Sequence, residues 1–523
     1  MSVERSPRSS ALALAGFGFG VVAVAVVASV PGSPLHPILP PGVQPGGPFR
    51  WLADTLGMDG LEGAALVAAG VVSVAVVVVS FLFVLREAWL GAMSVWTVVI
   101  AAVVAHVVVL TLPLLLSRDV YSYIAYGSIA GIHHANPYVR TPADFPRDAV
   151  AMLVGPKWFA VPAVYGPLFT GFASLVVRTF HGLAAQVAVF RLAAAAASLG
   201  TVAVIATTVR STWPHRAAFA VAVFGLNPVV LFQSVASGHN DLVVALCVAG
   251  AFALVTKRRY LPAVAVLALG TLVKAPAALP LILLLVWCVA RAHKGRRLHT
   301  LLTHGGLAAV IGVAFAAPFF QLHDPTLGML ELAGHEGWLA PSRFFRRLLD
   351  GVSGDTLGVI ARVGFAALLL VSLFMVARAV WRSAATDPAI DEIAHRELGA
   401  AWAWALMLLM LLGPVLLPWY VVWALPLAWL LPRAPRFVLV GVSVALAVSQ
   451  WAAEPARFPG PYDANVLVGH YAITPIVIGL LGWLLLDGYR RRRDGLPLRD
   501  EEGDAGGAGT DRDEHGAEAP GER

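Results

Sequence analysis

Charge is scarce in this chain of 523 residues: only 13% are Asp, Glu, Lys or Arg, about half the share found in an ordinary soluble protein. That shortage excludes a water-facing surface over most of the molecule, and the 58% of hydrophobic residues show what takes its place. Cysteine is nearly missing too. Cys247 and Cys288 both fall inside apolar stretches, so no disulfide framework is implied. No repeat of fixed period runs through the chain, which argues against a solenoid or an array.

What is abundant is uninterrupted apolar sequence. Residues 11–30, 61–85 and 183–209 each come near the roughly 20 residues that cross a hydrocarbon core. In lipid the backbone must satisfy its own hydrogen bonds, so the expected fold is an all-α integral membrane bundle. A cleaved signal sequence is the competing reading of 11–30, with Val27-Ala28-Ser29-Val30 before Pro31. The length of the run favours a retained anchor.

The net charge of +6 does not point to nucleic acid, because the basic residues sit in short connections between apolar segments, where they orient a membrane protein. Clusters at Arg5 and Arg8, Arg86, 210–216, 257–259, 291–297, 378–382, 433–436 and 490–493 all belong in the cytoplasm by this rule. About fourteen spans supply the required path: 11–30, 62–85, 92–115, 183–209, 216–236, 240–256, 260–274, 277–292, 300–320, 357–381, 399–416, 419–432, 436–452 and 470–487. Both termini are then inside. Residues 1–10 form a cytoplasmic arm, and 488–523, rich in Gly, Asp, Glu and Arg, form a disordered cytoplasmic tail. Counting 167–180 as another span would reverse every later cluster, so it is expected to be a re-entrant or interfacial helix.

This path puts the polar segments on the outer face: 117–166, the corners 237–241 and 417–420, and the loops 321–355 and 454–470. The first is long, aromatic and rich in Pro and Gly, and loops above about 15 residues are usually functional. It opens on Ser117-Arg118-Asp119-Val120-Tyr121-Ser122-Tyr123. Asp119 read alone is an ordinary solvated helix-end carboxylate. Asp241 fits a helix cap equally well, whereas His239 beside it suits a phosphate or a sugar. Lys274 either snorkels or binds phosphate. Arg343 is a candidate phosphate clamp, with Glu336 in the same loop as a weaker alternative base. Trp419, Tyr420 and Trp423 suit an interfacial belt or sugar stacking. His133 and His134 lack a third ligand at metal spacing, so no zinc site is expected there.

The motifs Ser-Arg-Asp-Val-Tyr-Ser-Tyr (117–123), Asn136-Pro137-Tyr138 and Tyr165-Gly166-Pro167-Leu168 resemble the catalytic outer loop of GT-C membrane glycosyltransferases. Leu226-Asn227-Pro228, Gly238-His239-Asn240-Asp241 and Pro418-Trp419-Tyr420 sharpen the likeness, over about 90–485. Together they resemble the actinobacterial polyprenol-phosphomannose-dependent α-1,6-mannosyltransferases of lipomannan assembly. The resemblance implies a transmembrane catalytic domain over 11–487 and, in the plasma membrane, an extracytoplasmic active site. It implies a polyprenyl-phosphate-mannose donor and a lipid-linked mannoside acceptor, with inversion. Asp119 matches the family's catalytic carboxylate, the general base. Arg118, His239, Lys274 and Arg343 are then the candidates for donor contact, and Tyr121, Tyr123, Tyr165, Asn240, Asp241, Trp419 and Tyr420 those for sugar or acceptor contact. No cofactor is expected, and no Asp-X-Asp motif lies in an outer loop, which leaves a divalent cation neither indicated nor excluded. A donor carrying arabinofuranose or glucose is the nearest alternative. A transporter or polyprenol-lipid flippase is the reading from another class, but transporters favour mid-membrane charges and internal repeats, and here the polar groups gather at one face.

Overall fold

Residues 7–40, 47–320, 327–328, 335–353, 355–384, 391–455 and 457–500 are described by a computed structural model of the chain. All the regular structure among them is helical. Seven helical stretches are long and apolar enough to cross a membrane: Arg8–Ser29, Gly63–Trp89, Leu183–Thr212, Pro214–Val235, Lys294–Phe319, Thr356–Ser383 and Pro459–Asp494. Four shorter apolar helices, Val95–Leu110, Asp241–Thr256, Tyr260–Val273 and Ala275–Arg291, pack among them. Length and composition therefore support a polytopic membrane protein, with seven full-length spans among the described residues where fourteen were expected.

Two of the expected spans are not regular α-helices. Residues 216–236 break after Gly225 and resume as a π-helical stretch, Val229–Val235. Asn227 bridges the break: its Nδ2 donates to the Val223 carbonyl at 3.2 Å and to Ser443 Oγ at 3.1 Å, while its Oδ1 accepts from the Val229 N–H. Residues 419–432 are drawn out into two 3₁₀ pieces, Pro418–Trp423 and Leu425–Leu430, buried on every side. Pro418, Pro426 and Pro432 remove the donors an α-helix would need here, and a 3₁₀ rise of about 2 Å per residue carries Pro418–Leu430 across roughly 26 Å.

The basic connections gather at one end of the bundle. Arg216 lies 3.3 Å and Arg436 4.1 Å over the Trp89 ring. Arg258 and Arg291 both pair with Asp391, at 2.8 and 2.7 Å, and Arg396 stacks over Trp213. The same end holds the stretch expected to be a disordered tail from residue 488. That boundary is corrected: the last helix, Thr474–Asp494, continues past it, and Asp500 pairs with Arg436 at 3.0 Å while its N–H donates to the Leu430 carbonyl. Residues 501–523 and 1–6 lie outside the described residues.

The 167–180 segment forms a helix, Pro167–Thr179, that does not traverse the bundle. Its start is held by the Gly166 N–H on the Val273 carbonyl at 3.0 Å. Its exit is held at Phe180, whose carbonyl accepts from Gln186 near the start of Leu183–Thr212. Both ends are thus on the side away from the basic end, as the parity of the basic clusters required. The Asp119–Gly131 helix runs beside it, starting at the same level. Arg191 fixes that level, donating to the Leu112 and Val109 carbonyls at 2.6 and 2.9 Å. A guanidinium there satisfies the carbonyl end of Val95–Leu110 and complements its dipole.

Candidate active site

At the end opposite the basic cluster, three chain segments converge: the start of Asp119–Gly131, the 237–241 corner, and the 3₁₀ piece Pro418–Trp423. The corner can form because Gly238 takes φ +70°, and a Cβ there would sit 2.7 Å from Val120 Cγ2. That turn tucks His239 against Asp119, with Nδ1 3.4 Å from Asp119 Oδ2 and 3.4 Å from the Tyr123 hydroxyl. Trp419 covers the imidazole face to face, ring centroids 3.8 Å apart at 18°. Asp119 is placed by its position at the first turn of a helix, where its backbone N–H donates to Ser117 Oγ at 3.2 Å and the helix dipole favours its charge.

One step further in, Lys274 Nζ donates to both oxygens of Asp241, at 2.8 and 2.9 Å, and Trp423 Nε1 donates to the same carboxylate at 2.8 Å. The Lys274 ammonium also lies 4.9 Å from the Tyr420 ring centroid, and Tyr420 stacks on Trp423 at 4.3 Å. Gly166 makes room for this layer: a Cβ would lie 2.1 Å from the Leu272 carbonyl oxygen.

The carboxylates near this end are not equivalent. Asp241 is fully buried and committed to Lys274 and Trp423. Glu336, the alternative base, is held by Arg346 at 2.8 Å and Arg362 at 3.1 Å. Glu454 is buried against Arg118. Among these four, Asp119 is the one whose carboxylate is bonded to no cation; its side chain is 19% exposed, and His239 Nδ1 lies 3.4 Å from it. Burial pushes its carboxyl up to about 6, with Lys274 pulling it down and Asp241 pushing it up. Burial, and then the Lys274 charge, hold the His239 imidazole neutral, well below its ordinary value.

Several buried polar atoms at this end have no hydrogen-bond partner among the described residues: His239 Nε2, the Trp419 Nε1, and the side-chain nitrogen and oxygen of Asn240, which is 3% exposed. Leaving an amide buried and unpaired is costly, so these groups fit a ligand that brings hydroxyls.

The remaining expectations divide. Tyr121 donates to the Ile38 carbonyl at 3.0 Å, and Tyr123 and Tyr165 stack edge to face at 4.9 Å. All three are buried and form the wall of the site. Arg118 is tied to Glu454. Lys274 donates to both oxygens of Asp241. Arg343 lies on a separate helix, Pro341–Ser353, in a cluster with Arg346, Arg347 and Glu336. Burial and then the Arg343 charge pull Lys157 below its ordinary value. No hydrogen bond or ion pair joins Arg343 to the Asp119 group among the described residues. His133 is engaged by Asp148 at 2.9 Å and stacked on Phe145, and no three His, Cys, Asp or Glu side chains are grouped for a metal among the described residues. Glu454 is the partner that sequence reading missed; its one signal is that it is the first acidic residue after Glu397.

The fold is that of a polytopic membrane bundle with a carboxylate bonded to no cation, an imidazole and stacked aromatic rings gathered at one end. Comparison with known proteins makes this specific. Residues 14–291 match the model of the α-(1→6)-mannopyranosyltransferase family, N-terminal domain, and the chain belongs to that family. It is 28% identical over 371 residues to α-(1→6)-mannopyranosyltransferase A of Mycobacterium tuberculosis, covering 66% of this chain and 68% of that protein. The likeness therefore begins well before residue 90, where the motifs alone had placed it, and takes in the first helices. No solved structure matches.

Proposed function

We propose that the protein transfers mannose from polyprenyl-phosphate-mannose to a lipid-linked mannoside at the outer face of the plasma membrane, forming α-1,6 linkages. The observation that carries this reading is Asp119, the one carboxylate of the four at this end bonded to no cation, set beside His239 and the Trp419 ring. The acceptor hydroxyl attacks the anomeric carbon, the carbon–oxygen bond to phosphate breaks, polyprenyl phosphate leaves, and the hydroxyl proton passes to Asp119. Attack from the opposite face inverts the centre, so an α product requires a β-linked donor. His239, neutral, fixes one Asp119 oxygen and leaves the other for the acceptor. Asn240 and Trp419 meet sugar hydroxyls and ring faces. Arg343, which makes no ion pair among the described residues, receives the phosphate charge together with Lys157.

The direct test uses membranes containing the protein, radiolabelled mannosyl-phosphoryl-polyprenol and short lipid-linked mannosides. Labelled, α-1,6-extended lipid is the expected product. Turnover only with arabinofuranosyl or glucosyl donors would replace the donor assignment.

The pH dependence follows from Asp119. It works only as a carboxylate, and its folded pKa is raised, so kcat/KM should rise as pH climbs through about 6 and be level above that. An ordinary Asp would put the limb near 4. A profile already flat at about pH 5 would remove Asp119 from the proton transfer.

On this reading the basic end lies in the cytoplasm, in keeping with the tendency of basic connections to stay inside. Ser122 and Ser342 are buried, so exposed positions serve better as reporters. Met152→Cys, 77% exposed at wild type, should react with an impermeant thiol reagent in intact cells, and Gly295→Cys in the exposed basic turn should not. The reverse pattern would turn the protein over.

A further inference from the structure

A cavity lies at the basic end, away from Asp119. It is a groove of about 800 Å³ between the helices Asp355–Ser383, Asp391–Leu412 and Thr474–Asp494. Leu368, Val371 and Met375 line one wall, and Leu408, Leu484 and Leu485 face them. From Leu368 to Arg378 the helix rises roughly 15 Å, half of a hydrocarbon core about 30 Å thick, which is one leaflet. The apolar part is thus as deep as an acyl chain lying in that leaflet.

Its mouth is basic. Arg378, Arg382, Arg491, Arg492 and Arg499 line it, against one carboxylate, Glu397. Glu397 is already used: its two oxygens accept the Leu498 and Arg499 N–H groups at 2.7 and 3.3 Å. Arg491 is held by Asp487 at 2.7 Å. Arg378, Arg382 and Arg492 are exposed and make no ion pair or hydrogen bond among the described residues. The strap that follows the last helix closes one side, with the Trp404 Nε1 donating to the Leu498 carbonyl at 3.2 Å.

We propose that this groove binds an anionic glycerophospholipid of the adjoining leaflet, its phosphate on Arg378, Arg382 and Arg492 and an acyl chain along Leu368, Val371 and Met375. A zwitterionic lipid carries no net charge to complement three free guanidiniums, and free phosphate cannot use the apolar wall. The site is separate from the transfer site and does not depend on the donor assignment.

The test is native mass spectrometry of the full chain, purified in detergent and titrated with dioleoylphosphatidylglycerol. Dioleoylphosphatidylcholine, inorganic phosphate and decaprenyl phosphate are run in parallel. One tightly retained phosphatidylglycerol is expected, undisplaced by phosphate and at least tenfold preferred over phosphatidylcholine. Each arginine near an anionic surface is worth roughly fivefold in binding, so the triple variant Arg378→Ala/Arg382→Ala/Arg492→Ala should bind about a hundredfold more weakly. Val371→Trp should also lose the lipid with all three arginines intact, because it fills the apolar wall. Both variants should keep the wild-type elution volume and mannosyl transfer. Equal retention of both phospholipids, or unchanged binding by the triple variant, overturns the proposal. Preferential retention of decaprenyl phosphate overturns it too, and would make the groove a polyprenol site.

Discussion

Asp119→Asn should slow mannosyl transfer by about 10²–10⁴-fold, the usual contribution of a general base, while expression and membrane insertion stay at wild-type levels. The amide keeps the shape and can still meet the His239 ring, but it cannot take the acceptor's proton. Asp241, Glu336 and Glu454 cannot substitute, since each is committed to a cation of its own. Asp119→Glu should recover only part of the rate, because one added methylene moves the carboxylate by more than an ångström and transfer is sensitive to such displacement. Transfer is to be measured at saturating donor on protein of matched amount. Near-normal turnover by Asp119→Asn would mean that the proton leaves by another route. Loss of the protein from the membrane would give Asp119 a structural role.

The other large effect is expected at Lys274, and it should be a loss of folded protein. Lys274→Ala leaves the Asp241 carboxylate buried with only the Trp423 N–H beside it, and removing one partner of a buried pair costs about 3–5 kcal/mol. The yield of monodisperse protein and its thermal midpoint should both fall steeply. The double variant Lys274→Met/Asp241→Asn removes both charges at similar volume and should restore most of the lost stability, a coupling that single variants cannot mimic. If Lys274→Ala is as stable as wild type and only its donor KM rises, the lysine binds phosphate and its pairing with Asp241 is incidental.

These residues show what a membrane sequence displays and what it hides. Hydropathy fixes depth along the membrane normal, and so Asp119, His239, Asp241, Lys274 and Trp419 could all be assigned to one face of the bundle before any coordinates. The alternation of basic clusters also removed 167–180 from the spans, and the helix there has both ends on one side. Position around the bundle leaves no such trace. Lys274 and Arg343 are equally cationic at similar depth, yet one is sealed against Asp241, 33 residues away in sequence, and the other sits in a separate basic patch. Arg118 and Glu454 meet across 336 residues, a separation no local pattern records. The drawn-out stretch 418–430 was hidden for a related reason: hydropathy registers composition, and a 3₁₀ piece has the composition of an α-helix.

That stretch is fastened at both ends, by the Trp423 N–H on Asp241 at one end and by the Leu430 carbonyl under Asp500 at the other. Wound as an α-helix, the same residues would cover roughly 20 Å instead of 26 Å. It therefore behaves as a strut cut to length, with no slack to take up a thicker or thinner bilayer. Tilt and mismatch must be absorbed by the outer helices, and the spacing between the Asp119 end and the basic end is set by the protein and not by the lipid around it.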